Sequence, residues 1–296
     1  MHTSMVTLGE AVSSVLASKE RANYRVNYIR GLRQYLTLFI RGRESDPVAS
    51  IDLFVVENWF VARREKPTTQ RSNIGRLSAL FTHCRRHKWI QENPCEFLER
   101  PRIDHRSPQI FTVRQCMRIL VWTRRHRPDA LGIIVLGLLC GLRPEESEQI
   151  TWADIDLVNG FIRIDAVVSK VRQRRIVKPM PSAIAWLRHA KELAGALPMK
   201  HQRRRRFLRR LREYLRLRKW PQDILRHTCA SYWLAEWQDA GKIAHELGNS
   251  AGILLRHYRE LVPRERASVF WSIFPKDLKN SPCKTYAPES LQGFLL

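Results

Sequence analysis

Apolar residues in the first hundred positions recur at helical spacing, in segments separated by short polar breaks. In the last of these segments Ile74, Leu77 and Leu80 share one helical face, and Asn93-Pro94 then ends the pattern. The predicted helices run from Thr7 to about 18, over 22–41, onward from Asp52, and onward from Thr68 or Thr69. We therefore predict a small all-helical bundle over 1–98, with arginine and lysine on its outer faces.

A polar segment that contains two prolines and several arginines, residues 99–110, is predicted to be a linker. A second domain is predicted over 111–275, and residues 276–296 are predicted to form a tail. The first helix of the second domain is predicted to begin after Thr112, and an apolar run ended by Gly141 predicts a buried helix. Residues 161–165 and 174–178 alternate as strands do and predict a β-hairpin, with helices after Pro181. The predicted fold class is mainly α with a small β-hairpin or sheet.

Charge narrows the choice of partner. The chain has 52 Lys and Arg against 28 Asp and Glu, a formal net charge of +24. An excess this large favours a polyanion, because each phosphate that is neutralised releases a counterion. Nucleic acid is the first choice. An anionic membrane is second, and it is disfavoured because neither end carries a clear amphipathic surface helix.

The densest basic run covers residues 203–219. Arg203, Arg204, Arg205 and Arg206 at its start are predicted to contact DNA phosphates, positioning the protein without reading bases. The plainer interpretation of such a run is a solvated helix face.

Other functional classes receive less support. No stretch approaches the roughly 20 apolar residues of a membrane helix. The first ten residues show no secretory signal, so a cytoplasmic location is expected. His83, Cys84, His87 and Cys95 cluster, but their spacing fits no common zinc pattern. We predict no metal and no cofactor.

Three segments of the second domain carry residues suited to phosphoryl chemistry. They are CGLRPEESEQITWADID from Cys140, SKVRQRR from Ser169, and the segment from Asp223 to Leu261 that contains LRHT and LGNS. In order and spacing they resemble the boxes of the tyrosine recombinase (phage integrase) family, and the resemblance spans about Thr7 to Phe274. It implies a helical, SAM-like core-binding bundle followed by a mixed α+β catalytic domain.

The resemblance also implies roles for individual residues. The catalytic set is Arg143, Lys170, Arg226 and the nucleophile Tyr258, which lies nine residues beyond Asn249. Glu146 stands at the position of the family's supporting carboxylate, and Arg175 is predicted to contact DNA. Arginine suits this chemistry because it clamps two phosphoryl oxygens and stays charged. A tyrosine hydroxyl, with a pKa of about 10, needs a positive pocket or a base to become a good nucleophile.

Two positions depart from the family pattern. Asp223 stands where histidine is usual, and Asn249 stands where histidine or tryptophan is usual. Asp223 could accept the proton of Tyr258, or it could hold Arg226 or cap the helix; both interpretations stay open. His227 is adjacent but lies about 100° round the helix, so core packing is its expected job. Asn249 keeps a hydrogen-bond donor and loses proton transfer.

The implied function is site-specific DNA recombination or integration through a 3′-phosphotyrosyl intermediate, at the nucleoid of a prokaryote. The implied partners are double-stranded DNA with an inverted-repeat core site and a homo-tetramer on that DNA. The apolar end of the tail is expected to dock on a neighbouring protomer. One alternative is a catalytically weakened DNA-binding protein of the same fold. A type IB topoisomerase-like enzyme is a further alternative, disfavoured by the small size and the helical N-terminal bundle.

Overall fold

The computed structural model describes residues 6–103, 107–166, 174–194, 197–250, 252, 254–255 and 262–275. The chain divides into two compact units, Met1–Asp104 and His105–Leu296. This division falls within the segment 99–110 that the sequence predicted to be a linker. Across the described ranges, no helix is both long and apolar enough to cross a membrane.

The first unit is helical. Its helices are α1 (Leu8–Arg21), α2 (Val26–Ile40), α3 (Leu53–Arg63) and α4 (Pro67–Arg86), with 3₁₀ turns at Val48–Ser50 and Pro94–Glu96. Thr7 and Glu10 form a reciprocal capping box at the start of α1, and the Asp52 carboxylate accepts from the Val55 amide at the start of α3. Helix α4 begins at Pro67, before the predicted Thr68 or Thr69, because proline is suited to the first helical position.

One aromatic cluster lies at the centre of the first unit. The Phe39 ring meets the edges of Trp59 and Phe81, with ring centroids 5.3 Å and 6.2 Å apart. Leu36 and Leu77 are fully buried beside them, as the helical spacing predicted. Cys84 and Cys95 also lie in this core, where burial raises the pKa of each thiol to about 12. Both cysteines therefore act as small apolar core residues.

The second unit is built around one wholly buried helix. All eight residues of α6 (Leu131–Leu138) are buried, and α6 packs against helices α5, α8 and α10. The other helices are α5 (Val113–His126), α7 (Pro144–Ser147), α8 (Pro181–Ala194), α9 (His201–Tyr214), α10 (Ile224–Trp237), α11 (Ala240–Leu247) and α12 (Arg264–Trp271), with 3₁₀ turns at Pro128–Ala130 and Trp152–Asp154. Thr112 caps α5 through a capping box with Gln115, as predicted.

A small antiparallel sheet completes this unit. Its strands are β1 (Ile155–Asp156), β2 (Phe161–Ile164) and β3 (Arg175–Val177), in the order β1-β2-β3. The predicted hairpin partners are β2 and β3, and the two-residue β1 was not predicted. Arg175 lies opposite Ile164 in the β2–β3 register, and Val177 lies opposite Ile162. Because side chains alternate along a strand, Arg175 and Val177 share the buried face.

Candidate active site

The first arginine box forms a tight turn between α6 and α7. Gly141 has a φ of +67°, and a Cβ built on it would lie 2.6 Å from a methyl carbon of Leu247. Only glycine fits this combination of backbone and contact. The chain then reaches Arg143, the N-cap residue of α7, and Pro144 occupies the first helical position, as predicted. This turn brings Arg143 toward the C-terminal end of α11.

Glu146 holds Arg143 from two sides. Its carboxylate accepts from the Arg143 amide at 3.0 Å and from Arg143 Nη1 at 3.1 Å. The sequence predicted this supporting role, and the spacing of three residues within one helical turn explains the contact. Glu146 has no exposed surface. Burial by itself would raise the pKa of Glu146, but the Arg175 hydrogen bond and the Arg175 and Arg143 charges lower it overall.

Arg175 is buried behind the same carboxylate. Its Nη1 and Nη2 donate to the two oxygens of Glu146 at 3.1 Å and 2.7 Å, a bidentate pair. The residue is 7% exposed. The sequence predicted that Arg175 contacts DNA, and its guanidinium instead faces protein. The signal that was missed is the period of two along β3, which turns Arg175 inward together with Val177.

Three arginines converge on the C-terminal turn of α11. Arg175 Nε donates to the carbonyl of Glu246 at 3.0 Å, Arg226 Nη2 to that of Leu247 at 2.7 Å, and Arg143 Nη2 to that of Gly248 at 2.8 Å. The last carbonyls of a helix lack partners within it and carry partial negative charge. Three consecutive carbonyls therefore attract one guanidinium each. We call Arg143, Arg175 and Arg226 the arginine cluster.

Arg226 is the more buried of the two predicted phosphate clamps. It comes from the first turn of α10 and is 4% exposed. In addition to the Leu247 carbonyl, its Nη1 donates to the carbonyl of Gly141 at 2.7 Å. Arg226 thus joins the turn before α7 to the turn after α11. Both predicted clamps, Arg143 and Arg226, lie in one cluster.

Asn249 completes the contact between α11 and Arg143. Its side-chain oxygen accepts from Arg143 Nη2 at 2.7 Å. That bond fixes the amide so that its NH₂ group is the remaining donor of the side chain. Gly248 precedes it in the left-handed region at a φ of +61°, as the cap of α11. The sequence predicted Asn249 as a site residue and did not predict that it would hold Arg143.

Asp223 lies at the start of α10 in a strained conformation. Its φ is +51°, in the left-handed region that glycine tolerates best. Its side chain makes no capping hydrogen bond in the described part of the chain, although it occupies the N-cap position. It shares the lining of a small apolar cavity with Arg226, Pro144 and Trp220. His227, the other predicted neighbour, is half-buried, and its amide donates to the Asp223 carbonyl at 2.8 Å.

The four arginines at the start of the basic run have different surroundings. Arg203 pairs with Asp129 at 3.2 Å, and Arg204 pairs with Glu148 at 2.7 Å. Arg205 and Arg206 are exposed. These two line an open groove along α9, which we call the α9 groove; its other lining residues are Gln202, Leu208, Arg209, Arg212 and Trp220. All four residues were predicted to contact DNA. The pairing of Arg203 and Arg204 was missed because Asp129 and Glu148 are distant from them along the chain.

Two of the predicted catalytic residues, Lys170 and Tyr258, lie outside the described residues, as does the tail 276–296. In sequence both are close to described parts of the site, since Lys170 precedes β3 and Tyr258 follows Asn249. The described residues contain no group of three or more His, Cys, Asp or Glu side chains that could hold a metal ion.

The amino-acid sequence is similar to those of known tyrosine recombinases. The chain is 25% identical over 228 residues to tyrosine recombinase XerC of Chlamydia muridarum (strain MoPn / Nigg), covering 68% of this chain and 71% of that protein. It is 24% identical over 249 residues to tyrosine recombinase XerC of Pseudomonas fluorescens, covering 78% and 83%. No family model matches the chain.

Solved structures show the same fold. A lambda integrase dimer bound to a COC′ core site superposes with a TM-score of 0.68 at 15% identity, covering 84% of this chain and 97% of that one. The Tn1549 transposon integrase in complex with a circular intermediate DNA gives a TM-score of 0.69 at 17% identity, covering 86% and 96%. The fold is the one seen in these two integrases. In sequence and in fold the chain is similar to tyrosine recombinases and integrases, which confirms the resemblance predicted from its motifs.

Proposed function

We propose that the chain is a site-specific DNA recombinase or integrase that cleaves and rejoins DNA through a 3′-phosphotyrosyl intermediate. The observation that carries this proposal is the arginine cluster, in which three guanidiniums converge on one helix terminus and two of them share the buried carboxylate of Glu146. Such a cluster keeps a positive excess that suits a phosphate. The curated relatives are named tyrosine recombinases, in agreement with it.

Arg143 and Arg226 are the groups proposed to bind the scissile phosphate. Attack on a phosphodiester adds negative charge to the phosphoryl oxygens, and fixed guanidiniums stabilise that charge without reorganising. The Glu146 bonds to Arg143, and the Gly141 and Leu247 carbonyls on Arg226, keep both groups oriented before DNA binds. Pre-orientation of this kind supports catalysis.

Tyr258 is the proposed nucleophile and Lys170 the proposed general acid. The Tyr258 oxygen forms a bond to phosphorus, the bond from phosphorus to the 5′-oxygen breaks, and Lys170 gives a proton to that oxygen. The product is a 3′-phosphotyrosyl link and a free 5′-hydroxyl. The second transesterification reverses these steps with a different 5′-hydroxyl. Because the phosphodiester energy is retained in the covalent link, the scheme needs neither ATP nor a metal.

Asp223 is proposed to accept the Tyr258 proton. Its strained backbone and its lack of a capping bond among the described residues both speak against a purely structural role. We predict that Asp223→Asn slows strand cleavage by about 10² or more, because an amide cannot take the proton. Asp223→His should restore cleavage. Rates of covalent adduct formation with wild type and the two variants check this, and equal rates for Asp223→Asn and Asp223→His would contradict it.

The Asp223 backbone provides a second test. We predict that Asp223→Gly raises the free energy of unfolding by up to about 1 kcal/mol, because glycine adopts the left-handed conformation without strain. The same substitution should lower the cleavage rate, because it removes the carboxylate. The matched control is Gln238→Gly at the other end of α10, where φ is +52°. The control should gain stability and keep the rate. Urea unfolding and adduct formation, measured on both variants, separate the two effects.

The α9 groove is proposed to contact the DNA backbone. Its arginines lie on one stripe of α9, whereas Arg203 and Arg204 hold carboxylates of their own domain. We predict that Arg205→Gln and Arg209→Gln each reduce the slope of log affinity against log salt by about 1. Arg203→Gln, the control on the same helix, should change the slope less. Fluorescence anisotropy with labelled duplexes at several salt concentrations makes the measurement.

The proposed assembly is a tetramer on two duplexes with inverted-repeat core sites. One of the similar structures is a lambda integrase tetramer bound to a Holliday junction, and this chain shares that fold with a TM-score of 0.68 at 15% identity. The tail 276–296 is proposed to dock on a neighbouring protomer. Light scattering of the chain with and without its DNA site tests both points, since removal of the tail should leave monomers on DNA.

The experiment that tests the proposed function is covalent trapping. A duplex nicked near the cleavage position loses a short strand after attack, so the protein–DNA adduct accumulates. The proposal expects an adduct that survives denaturation. The competing function is that of a DNA-binding protein without catalysis, and the departures from the family pattern at Asp223 and Asn249 motivate it. Such a protein would bind the duplex without forming an adduct. Relaxation of supercoiled plasmid without any site requirement would favour a topoisomerase-like enzyme instead.

A further inference from the structure

We propose that Arg175 is a positioning residue for strand cleavage, acting on Arg143 through Glu146 and the C-terminal turn of α11. This inference rests on the proposed function and deepens it. It also replaces the direct DNA contact that the sequence predicted for Arg175.

The first line of support is the order of contacts. Glu146 lies between two guanidiniums, and it binds Arg175 in a bidentate pair and Arg143 through one side-chain bond and one backbone bond. The Arg175 side chain is 4% exposed and that of Arg143 is 15% exposed. Arg143 is thus the member of the pair that a phosphate can reach. Arg175 is placed to influence the phosphate indirectly, through groups that also hold Arg143, and the Glu146 carboxylate is the first of these.

The second line of support is a connection through backbone. Arg175 Nε binds the Glu246 carbonyl, and two residues later the Gly248 carbonyl binds Arg143. The Lys178 amide donates to the Glu246 carboxylate at 2.7 Å, so β3 holds the same turn at a second point. A Cβ built on Gly248 would lie 3.4 Å from the Arg175 side chain. Strand β3 and the end of α11 therefore together hold Arg143 in position.

Electrostatics give the third line of support. A buried carboxylate is stable only when it is paired, and most of the pairing of Glu146 comes from Arg175. The charges that lower the pKa of Glu146 are those of Arg175 on β3 and Arg143 on its own turn. Glu246 on α11 binds Arg175 through its backbone carbonyl, and burial raises the pKa of its carboxyl. Without Arg175, burial would dominate and Glu146 would take up a proton at a higher pH. A neutral Glu146 orients Arg143 less strongly.

The test compares Arg175→Lys, Arg175→Gln, Glu146→Gln and the double variant Arg175→Gln/Glu146→Gln. The control is Arg163→Gln; Arg163 is an exposed arginine on β2, and its Nη2 donates to the Ala153 carbonyl at 2.9 Å. The probe is a set of nicked duplexes carrying the sequence that the wild-type chain selects from random duplex DNA. Adduct formation is followed in single-turnover experiments at saturating DNA, across the acidic and neutral pH range.

Arg175→Gln is expected to slow adduct formation by about 10- to 100-fold with unchanged DNA affinity, and Arg175→Lys by less. Its rate should also fall at a higher pH than the wild-type rate does. In the Glu146→Gln background the further loss should be much smaller, because the two residues act through one contact. Arg163→Gln should match wild type.

The ionic contact has a readout that does not depend on activity. The pKa of Glu146 is lowered by folding, so its pairing stabilises the protein above the unfolded pKa of about 4.3 and is lost as the pH falls through the folded pKa. The difference in unfolding free energy between wild type and Arg175→Gln should therefore be largest near neutral pH and shrink on acidification. A difference that does not vary with pH would overturn the ionic contact.

The kinetic outcomes separate the two proposals. Losses that multiply in the double variant, with an unchanged pH profile, would show that Arg175 only stabilises the fold and would overturn the positioning role. A wild-type chain that forms no adduct would overturn the proposed function, and the positioning role with it. An adduct that forms equally fast with wild type and Arg175→Gln would overturn the positioning role alone.

Discussion

Tyr258→Phe should abolish the covalent protein–DNA adduct, lowering its rate of formation by a factor of about 10³ or more. The substitution removes a single oxygen atom, so the loss would trace to the attacking hydroxyl. DNA binding should be unchanged, because the arginine cluster and the α9 groove remain intact. Covalent trapping on a nicked duplex measures the first quantity, and anisotropy with the same duplex measures the second.

The matched control for this variant is Tyr232→Phe. Tyr232 lies buried in α10, and its hydroxyl donates to the Phe111 carbonyl at 3.3 Å. Loss of that bond should cost about 1 kcal/mol of stability and leave adduct formation in place. An adduct that persists in Tyr258→Phe would move the nucleophile to another residue.

Removal of either clamp arginine should have the second-largest effect. Arg143→Gln and Arg226→Gln are each expected to slow cleavage by about 10² to 10³, because each removes fixed positive charge from the phosphoryl oxygens. Arg143→Lys should be nearly as slow. Lysine keeps the charge but cannot hold Glu146, the Gly248 carbonyl and a phosphate with one planar group. Single-turnover rates at saturating DNA provide the measurement.

The two clamp variants, Arg143→Gln and Arg226→Gln, should differ in their free energy of unfolding. Arg226 is buried and satisfies the Gly141 and Leu247 carbonyls, so Arg226→Gln should also lower the free energy of unfolding by about 1–3 kcal/mol. Arg143 is more exposed, so its variant should unfold closer to wild type. A clamp variant that folds normally and cleaves at the wild-type rate would show that its arginine does not act on the phosphate.

Local signals explain why much of the fold was predictable. Thr7, Asp52 and Thr112 cap their helices as their side chains suggested. The alternation along β2 and β3 identified the hairpin, and the apolar run identified the buried helix, although α6 ends at Leu138 and not at the predicted Gly141. Strand β1 was missed because two residues carry too short a pattern.

The site itself depends on contacts that are distant in sequence. Arg143 and Gly248 are 105 residues apart, and Arg175 and Glu146 are 29 apart. The motif spacing predicted that Arg143, Glu146, Arg226 and Asn249 belong together. It could not predict that the end of α11 gives one carbonyl to each arginine, nor that Arg175 turns inward. Those features arise from the packing of β3 against α11, which no local pattern encodes.

The most direct measurement is the identification of the residue joined to DNA. Wild-type protein trapped on a nicked duplex is digested with trypsin and nuclease, and the peptide that retains a nucleotide is sequenced by mass spectrometry. We expect a phosphotyrosyl link to the 3′ end of the cleaved strand at Tyr258. A DNA-bound chain that yields no such peptide, or a nucleotide attached to any other residue, would contradict it.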